Sequence, residues 1–239
     1  SGRQFSIKER LHLCLNAPPT LFGGGPISCA SAVLASEQKA GRSKKITNQD
    51  VSSLCQFAVG EGPAVCFFEG SQLPPQLRME LCQGATNAGP VHCQRRAATA
   101  FKKDPSKVLE LCIGAVSSGP GECAAKVPIT FSEEEKAALC QKAASQRAEE
   151  PFHCFQSVES ASKMFIKNNV GSIKSLTDFN KQNRESFINM CSFSNSQSPL
   201  ASAECLKSAP NNLLIGKGIC FYLLYFYLFL LLNFVSISF

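Results

Sequence analysis

One short phrase recurs along this chain, a cysteine held at fixed distances from three other residue types. Leu stands directly before it at Leu13, Leu54, Leu81, Leu111 and Leu139, and Met190 takes that place in the sixth copy. A small residue stands three positions after it, at Ala17, Ala58, Ala85, Ala115, Ala143 and Ser194. Eight residues before it stand Ser6, Thr47, Asp104, Ser132 and Asn183, with Pro74 in the remaining copy. Ser, Thr, Asp and Asn start helices because their side chains accept hydrogen bonds from the unpaired first-turn amides. Ser6 with Glu9 and Ser132 with Glu135 also have the capping-box spacing. The Leu and the small residue are four apart, which on a helix is one face. The phrase therefore reads as a short helix whose small residue lets a neighbouring helix approach.

A second cysteine closes each phrase. Pro26, Pro63, Pro90, Pro120 and Pro151 each stand three residues before it, and the first four follow a glycine. A glycine cap followed by proline at the first helical position starts a new helix, since the missing amide proton is not needed there. Each phrase is then a helix, a tight turn and a helix. The first cysteines lie 27, 30 and 28 residues apart in the middle of the chain, and 41 and 51 apart at its flanks. Such a period indicates stacked helical repeats. The expected fold is all-α, a solenoid-like array of about six stapled αα-hairpins over residues 1–210, irregular at 31–46 and 155–182. An elongated second helix is expected from Phe155 to about Ile166. A hydrophobic tail occupies 211–239, within which Gly218 to Phe239 are expected to form one helix.

Twelve of the 13 cysteines pair by position, and Cys220 lies in the hydrophobic tail. The nearest-neighbour pairing is Cys14–Cys29, Cys55–Cys66, Cys82–Cys93, Cys112–Cys123, Cys140–Cys154 and Cys191–Cys205. Helices this short are marginal alone, and a bridge across a twelve-residue loop contributes roughly 3 kcal/mol on the chain-entropy account. Six disulfides imply an oxidising space, extracellular or in the secretory lumen. The competing reading is buried free thiols in a reduced compartment, where cysteine serves as a small core residue. The chain opens at Ser1 with no methionine or signal peptide and is expected to be a fragment or a processed form, so the missing signal carries no information about compartment.

No metal site is expected, because neither CxxC nor HxxxH spacing occurs. His92 and His153 each precede a second cysteine, but adjacent helical residues point about 100° apart, so each is read as flanking its staple. His12 is placed on a polar helix face. No phosphate-binding, nucleophile-elbow or zinc-protease motif is present, and Gly23-Gly24-Gly25 reads as hairpin turn. Catalytic residues and cofactors are accordingly expected to be none. The net charge of +6 is spread over sites such as Lys44, Lys45, Arg95, Arg96, Lys102 and Lys103, which does not favour nucleic acid as a partner.

From Gly218 the chain is uncharged and rich in Phe, Leu and Tyr to its end at Phe239. Its 22 residues span about 33 Å as a helix, enough to cross a bilayer core. Three readings stay open: a C-terminal membrane anchor, a signal replaced by a glycolipid with Ser208 and Ala209 upstream, or translated non-coding sequence. The function expected from the whole chain is a non-enzymatic extracellular or luminal binding or scaffold module with a protein partner, tethered to a membrane through 218–239 if the tail is genuine. The alternatives are a thiol–disulfide exchange protein and a cytosolic helical adaptor with reduced cysteines.

Overall fold

The structure is a computed structural model, and it describes residues 5–15, 24–40, 46–102, 104–169 and 173–192. Among them there are α-helices and one 3-10 turn, and no strand. The helices are α1 (Ile7–Leu15), α2 (Gly25–Ala40), α3 (Asn48–Cys55), α4 (Gly62–Glu69), α5 (Pro75–Cys82), α6 (Gly89–Ala97), α7 (Pro105–Cys112), α8 (Gly119–Lys126), α9 (Glu133–Cys140), α10 (Glu150–Asn169) and α11 (Ile173–Ser192). They fall into two compact units that divide after Glu149. The expected tail, 211–239, lies outside the described residues.

In the first unit the helices carrying the Leu-Cys phrase, α3, α5, α7 and α9, begin largely where the side chains predict. Ser6 before α1 exchanges hydrogen bonds with Glu9. Thr47 and Ser132 form capping boxes with Asp50 and Glu135, and the Asp104 carboxylate accepts from the Ser106 amide. Their Leu residues make the core: Leu54, Leu81, Leu111 and Leu139 are fully buried. The N-cap residues of α4, α6 and α8 make no side-chain cap, although the Asn87 and Ser117 side chains just before α6 and α8 accept from the Gly89 and Gly119 amides. Here the glycine is already helical and the proline follows it, so the glycine is not the cap the sequence suggests.

That glycine has a steric reason. A Cβ on Gly25, Gly62, Gly89 or Gly119 would sit 2.1 to 2.3 Å from the carbonyl oxygen of Ala58, Ala85, Ala115 or Ala143, respectively. Each of these alanines follows the next phrase's helix. The helix has ended at its cysteine, and the alanine amide donates to the cysteine carbonyl across a turn. So the small residue is not on a helix face, as expected from its spacing; it closes a turn that packs on glycine. Gly84 and Gly114, in two of those turns, have φ of 72° with open space at Cβ, so conformation alone selects glycine there.

Helix packing follows the same phasing. Each glycine-proline helix packs more closely on the following Leu-Cys helix, as α4 on α5 and α6 on α7, than on the preceding one. Across pairs, α2 meets α4, α4 meets α6 and α6 meets α8, while α1, α3, α5, α7 and α9 meet in succession. Helices α6 and α8 also come close, where a Cβ on Gly121 would meet the Cys93 carbonyl at 2.2 Å. Arg95 ties α6 to Glu69 of α4 at 2.9 Å.

In the second unit, α10 and α11 pack along each other around Phe155, Val158, Phe187 and Ile188. The expected helix start at Asn183 is wrong: Asn183 lies inside α11, because no Gly or Pro interrupts the chain between Ile173 and Ser192. For the same reason α2 runs on to Ala40 and α10 to Asn169, so the stretches irregular in sequence are partly helix extensions.

Gly89→Ala should destabilise the protein by about 2 kcal/mol or more, because backbone and not a pliable side chain opposes the added methyl. Gly60→Ala, with nothing within 4 Å of its Cβ, should be neutral or slightly stabilising. Urea unfolding of the oxidised variants compares the two.

Candidate functional site

The chemistry-bearing side chains of this molecule are its cysteines, and their pairing corrects the nearest-neighbour expectation. The disulfides are Cys29–Cys55, Cys66–Cys82, Cys93–Cys112, Cys123–Cys140 and Cys154–Cys191. None of the pairs Cys55–Cys66, Cys82–Cys93, Cys112–Cys123 or Cys140–Cys154 forms. The second cysteine of each phrase joins the first cysteine of the next. The side chains of Cys14, Cys205 and Cys220 lie outside the described residues, so Cys14–Cys29 and Cys191–Cys205 fail because Cys29 and Cys191 are bonded elsewhere.

The reason lies in the glycine contact. Gly25 begins α2 and abuts Ala58, which follows α3. The start of one helix therefore lies beside the end of the next, antiparallel. Cys29 is four residues past Gly25 and Cys55 three residues before Ala58, so the two meet with Cα atoms 5.6 Å apart. The same offsets bring Cys66 to Cys82 and Cys93 to Cys112 at 5.5 Å. Sequence proximity does not oppose this. The observed bridges span 16 to 37 residues, and the added loop entropy is under about 1 kcal/mol, since each doubling of a loop costs only about 0.6 kcal/mol.

All ten of these cysteines are buried. His92 and His153 are exposed, each beside a staple, and no group of three or more His, Cys, Asp or Glu side chains that could hold a metal occurs among the described residues. Nor is any described helix long and apolar enough to cross a membrane. Exposed large apolar side chains include Phe57 and Val59 in the turn after α3, Val65 on α4, and Ile113 and Val116 in the turn after α7.

Two further features were not legible as sites. A cleft of about 370 Å³ opens between α5, α6 and α7. Phe101, Val108, Leu77 and Leu109 supply its apolar lining, with Gln94 and Lys102 as polar members. At the start of α7, the Ser106 hydroxyl hydrogen-bonds to Asp104 and holds its carboxyl below the ordinary value, helped by the neighbouring Lys107. Lys107 is raised in turn by its hydrogen bond to Glu110, at 2.7 Å. The Asp104 amide donates to Glu133 in the first turn of α9, so this surface network links successive Leu-Cys helices. Comparison with protein-family models, curated proteins and solved structures finds no match to this chain.

Trypsin distinguishes the two pairings without a structure. No Lys or Arg lies between Cys55 and Cys66, between Cys82 and Cys93, or between Cys112 and Cys123. Nearest-neighbour bridges would release peptides 46–78, 79–95 and 108–126 separately, each closed on itself. The observed bridges should leave them covalently joined, with 11–39 and 137–142 attached, in a non-reducing digest read by mass spectrometry.

A depressed carboxyl stabilises the fold above its unfolded-state pKa, and the contribution is lost as pH falls through the folded value. Asp104→Ala should therefore lower the melting temperature at neutral pH. Its difference from the unaltered protein should close below the ordinary value of 3.8, which calorimetry across pH 2 to 7 would follow.

Proposed function

We propose that this chain is a non-enzymatic binding or scaffold module of an extracellular or luminal space, with a protein as partner. The observation that carries the reading is the complete burial of the disulfides: among the described bridges no sulfur pair is on the surface, with every bonded cysteine 0 or 1% exposed. Exchange chemistry needs a thiolate to reach a disulfide sulfur, whereas the bridges Cys66–Cys82, Cys93–Cys112 and Cys123–Cys140 hold together helices of eight or nine residues, too short to persist alone. Five such bridges favour an oxidising compartment over the cytosol.

The finer reading is a repeat array, with the pair of a glycine-proline helix and the following Leu-Cys helix as its unit. The recurrence of one backbone contact at Gly25, Gly62, Gly89 and Gly119 supports it. Stacked helix pairs present extended surfaces suited to protein ligands, and the exposed Phe57, Val59, Val65 and Val116 are the apolar groups such a surface would offer. Membrane tethering through 218–239 rests on composition alone, since that segment lies outside the described residues.

Alkylation of protein from its native source, unfolded in denaturant before and after reduction, tests the reading. The ten bridged cysteines should react only after reduction. Modification of Cys66, Cys82, Cys93 or Cys112 before reduction would favour the cytosolic adaptor. Catalytic turnover of a disulfide substrate by the native protein would favour the exchange protein instead.

A further inference from the structure

The glycine-proline helices are built alike, so their outer faces can be compared position by position. On α6, His92, Arg95 and Arg96 stand at the i, i+3 and i+4 places that share one helix face, and all three are exposed. The same places relative to the cysteine hold Val65, Phe68 and Glu69 on α4, and Glu122, Ala125 and Lys126 on α8. Glu69 alone gives the α4 face a formal charge of −1, Glu122 and Lys126 cancel on α8, and Arg95 with Arg96 gives +2 on α6. The charge of this face is a local departure from the repeat.

The surrounding chain does little to offset it. No Asp or Glu occurs between Glu80 and Asp104, a stretch that also carries Lys102. Lys102 borders the same groove as Gln94 and Ala98, so it stands beside the end of α6. Of Arg95, Arg96 and Lys102, all exposed, only Arg95 makes an ion pair among the described residues. Its guanidinium is held by the Glu69 carboxylate at 2.9 Å and the Glu69 carbonyl at 2.7 Å. Even so, 43% of that side chain stays exposed, and a guanidinium has further N–H donors.

We propose that the outer face of α6, together with Lys102, binds a sulfated glycosaminoglycan, with sulfates placed at Arg95, Arg96 and Lys102. The choice of ligand rests on the extracellular or luminal reading above, because sulfated polysaccharides are the linear polyanions of that space. Guanidinium groups pair with tetrahedral oxyanions through two parallel N–H bonds, and the ammonium of Lys102 acts as a point charge. A single-stranded nucleic acid would stack its bases on aromatic rings. This face of α6 carries none of Phe, Tyr or Trp, and Phe101 beside Lys102 is buried.

Calorimetric titration of the full, oxidised chain with a heparin octasaccharide tests the proposal. Binding should be saturable and weaken at least several-fold from low to physiological salt, since contacts between exposed charges are screened. Arg96→Gln and Lys102→Gln should each weaken it about threefold to fivefold, the size of one exposed charge contact. Lys8→Gln removes the same charge from an exposed site on α1 and should leave binding unchanged. Desulfated heparin should bind far more weakly than heparin. No saturable binding, an equal loss with Lys8→Gln, or equal binding of a single-stranded oligonucleotide of matched charge would each overturn the proposal. The substituted residues are exposed, so the variants should stay folded. Failure of the compartment reading is seen separately, as free thiols in protein from its native source, and is not confused with failure of this site.

Discussion

A glycine laid against a backbone carbonyl is the contact on which the rest of this structure depends. At Gly25, Gly62, Gly89 and Gly119 a helix begins so close to the next helix's exit turn that no side chain fits between them. That approach sets the separation of the two helices at one end. One helical turn further in, the two cysteines stand at bonding distance. Glycine inside a helix costs about 1 kcal/mol relative to alanine. A disulfide contributes roughly 3 kcal/mol, and a buried Leu such as Leu81 roughly 2 kcal/mol. The close contact more than offsets its local cost, because it places both the bridge and the leucine.

The parts of the fold legible in sequence are those specified locally. Thr47, Asp104 and Ser132 cap helices with their own side chains, and the Leu before each cysteine is buried, as a period of fixed residue types implies. The partner of each cysteine was not legible, because spacing measures distance along the chain and the loop-entropy preference for the nearest cysteine is too weak to decide. What decides is packing: the glycine's neighbour is the alanine of the next phrase, 23 to 33 residues on. The signal was nevertheless present, in a glycine and an alanine at constant offsets from cysteines that prove to be bonded. It reads as two independent helix signals until the two are seen to touch.

The cleft was illegible for a different reason. A cavity is a difference between neighbouring positions, and no single residue announces it. Gln94 and Val108 are ordinary residues when taken alone. Only when α5, α6 and α7 are packed together do Leu77, Gln94 and Val108 come to line one space.

The two kinds of helix are held by different physics, and this makes their tolerance to change unequal. Leu-Cys helices carry their own start signals, so α3 and α9 have caps that would act even in a loosely packed chain. The glycine-proline helices α4, α6 and α8 have N-cap residues with no side-chain cap and begin with residues that are buried. Their first turns are defined by contact with the following turn, and Pro63 and Pro90 fill the space beside it as fully buried groups. Loss of a bridge such as Cys93–Cys112 should act first on α6, whose start has only the Asn87 side chain, accepting from the Gly89 amide, as local support. The Leu-Cys partner α7 keeps its Asp104 cap. The Cys29–Cys55, Cys93–Cys112 and Cys123–Cys140 staples therefore each include a Leu-Cys helix, α3, α7 or α9, that is capped by its own side chain, whereas α5 of the Cys66–Cys82 staple begins on Pro74 with no such cap.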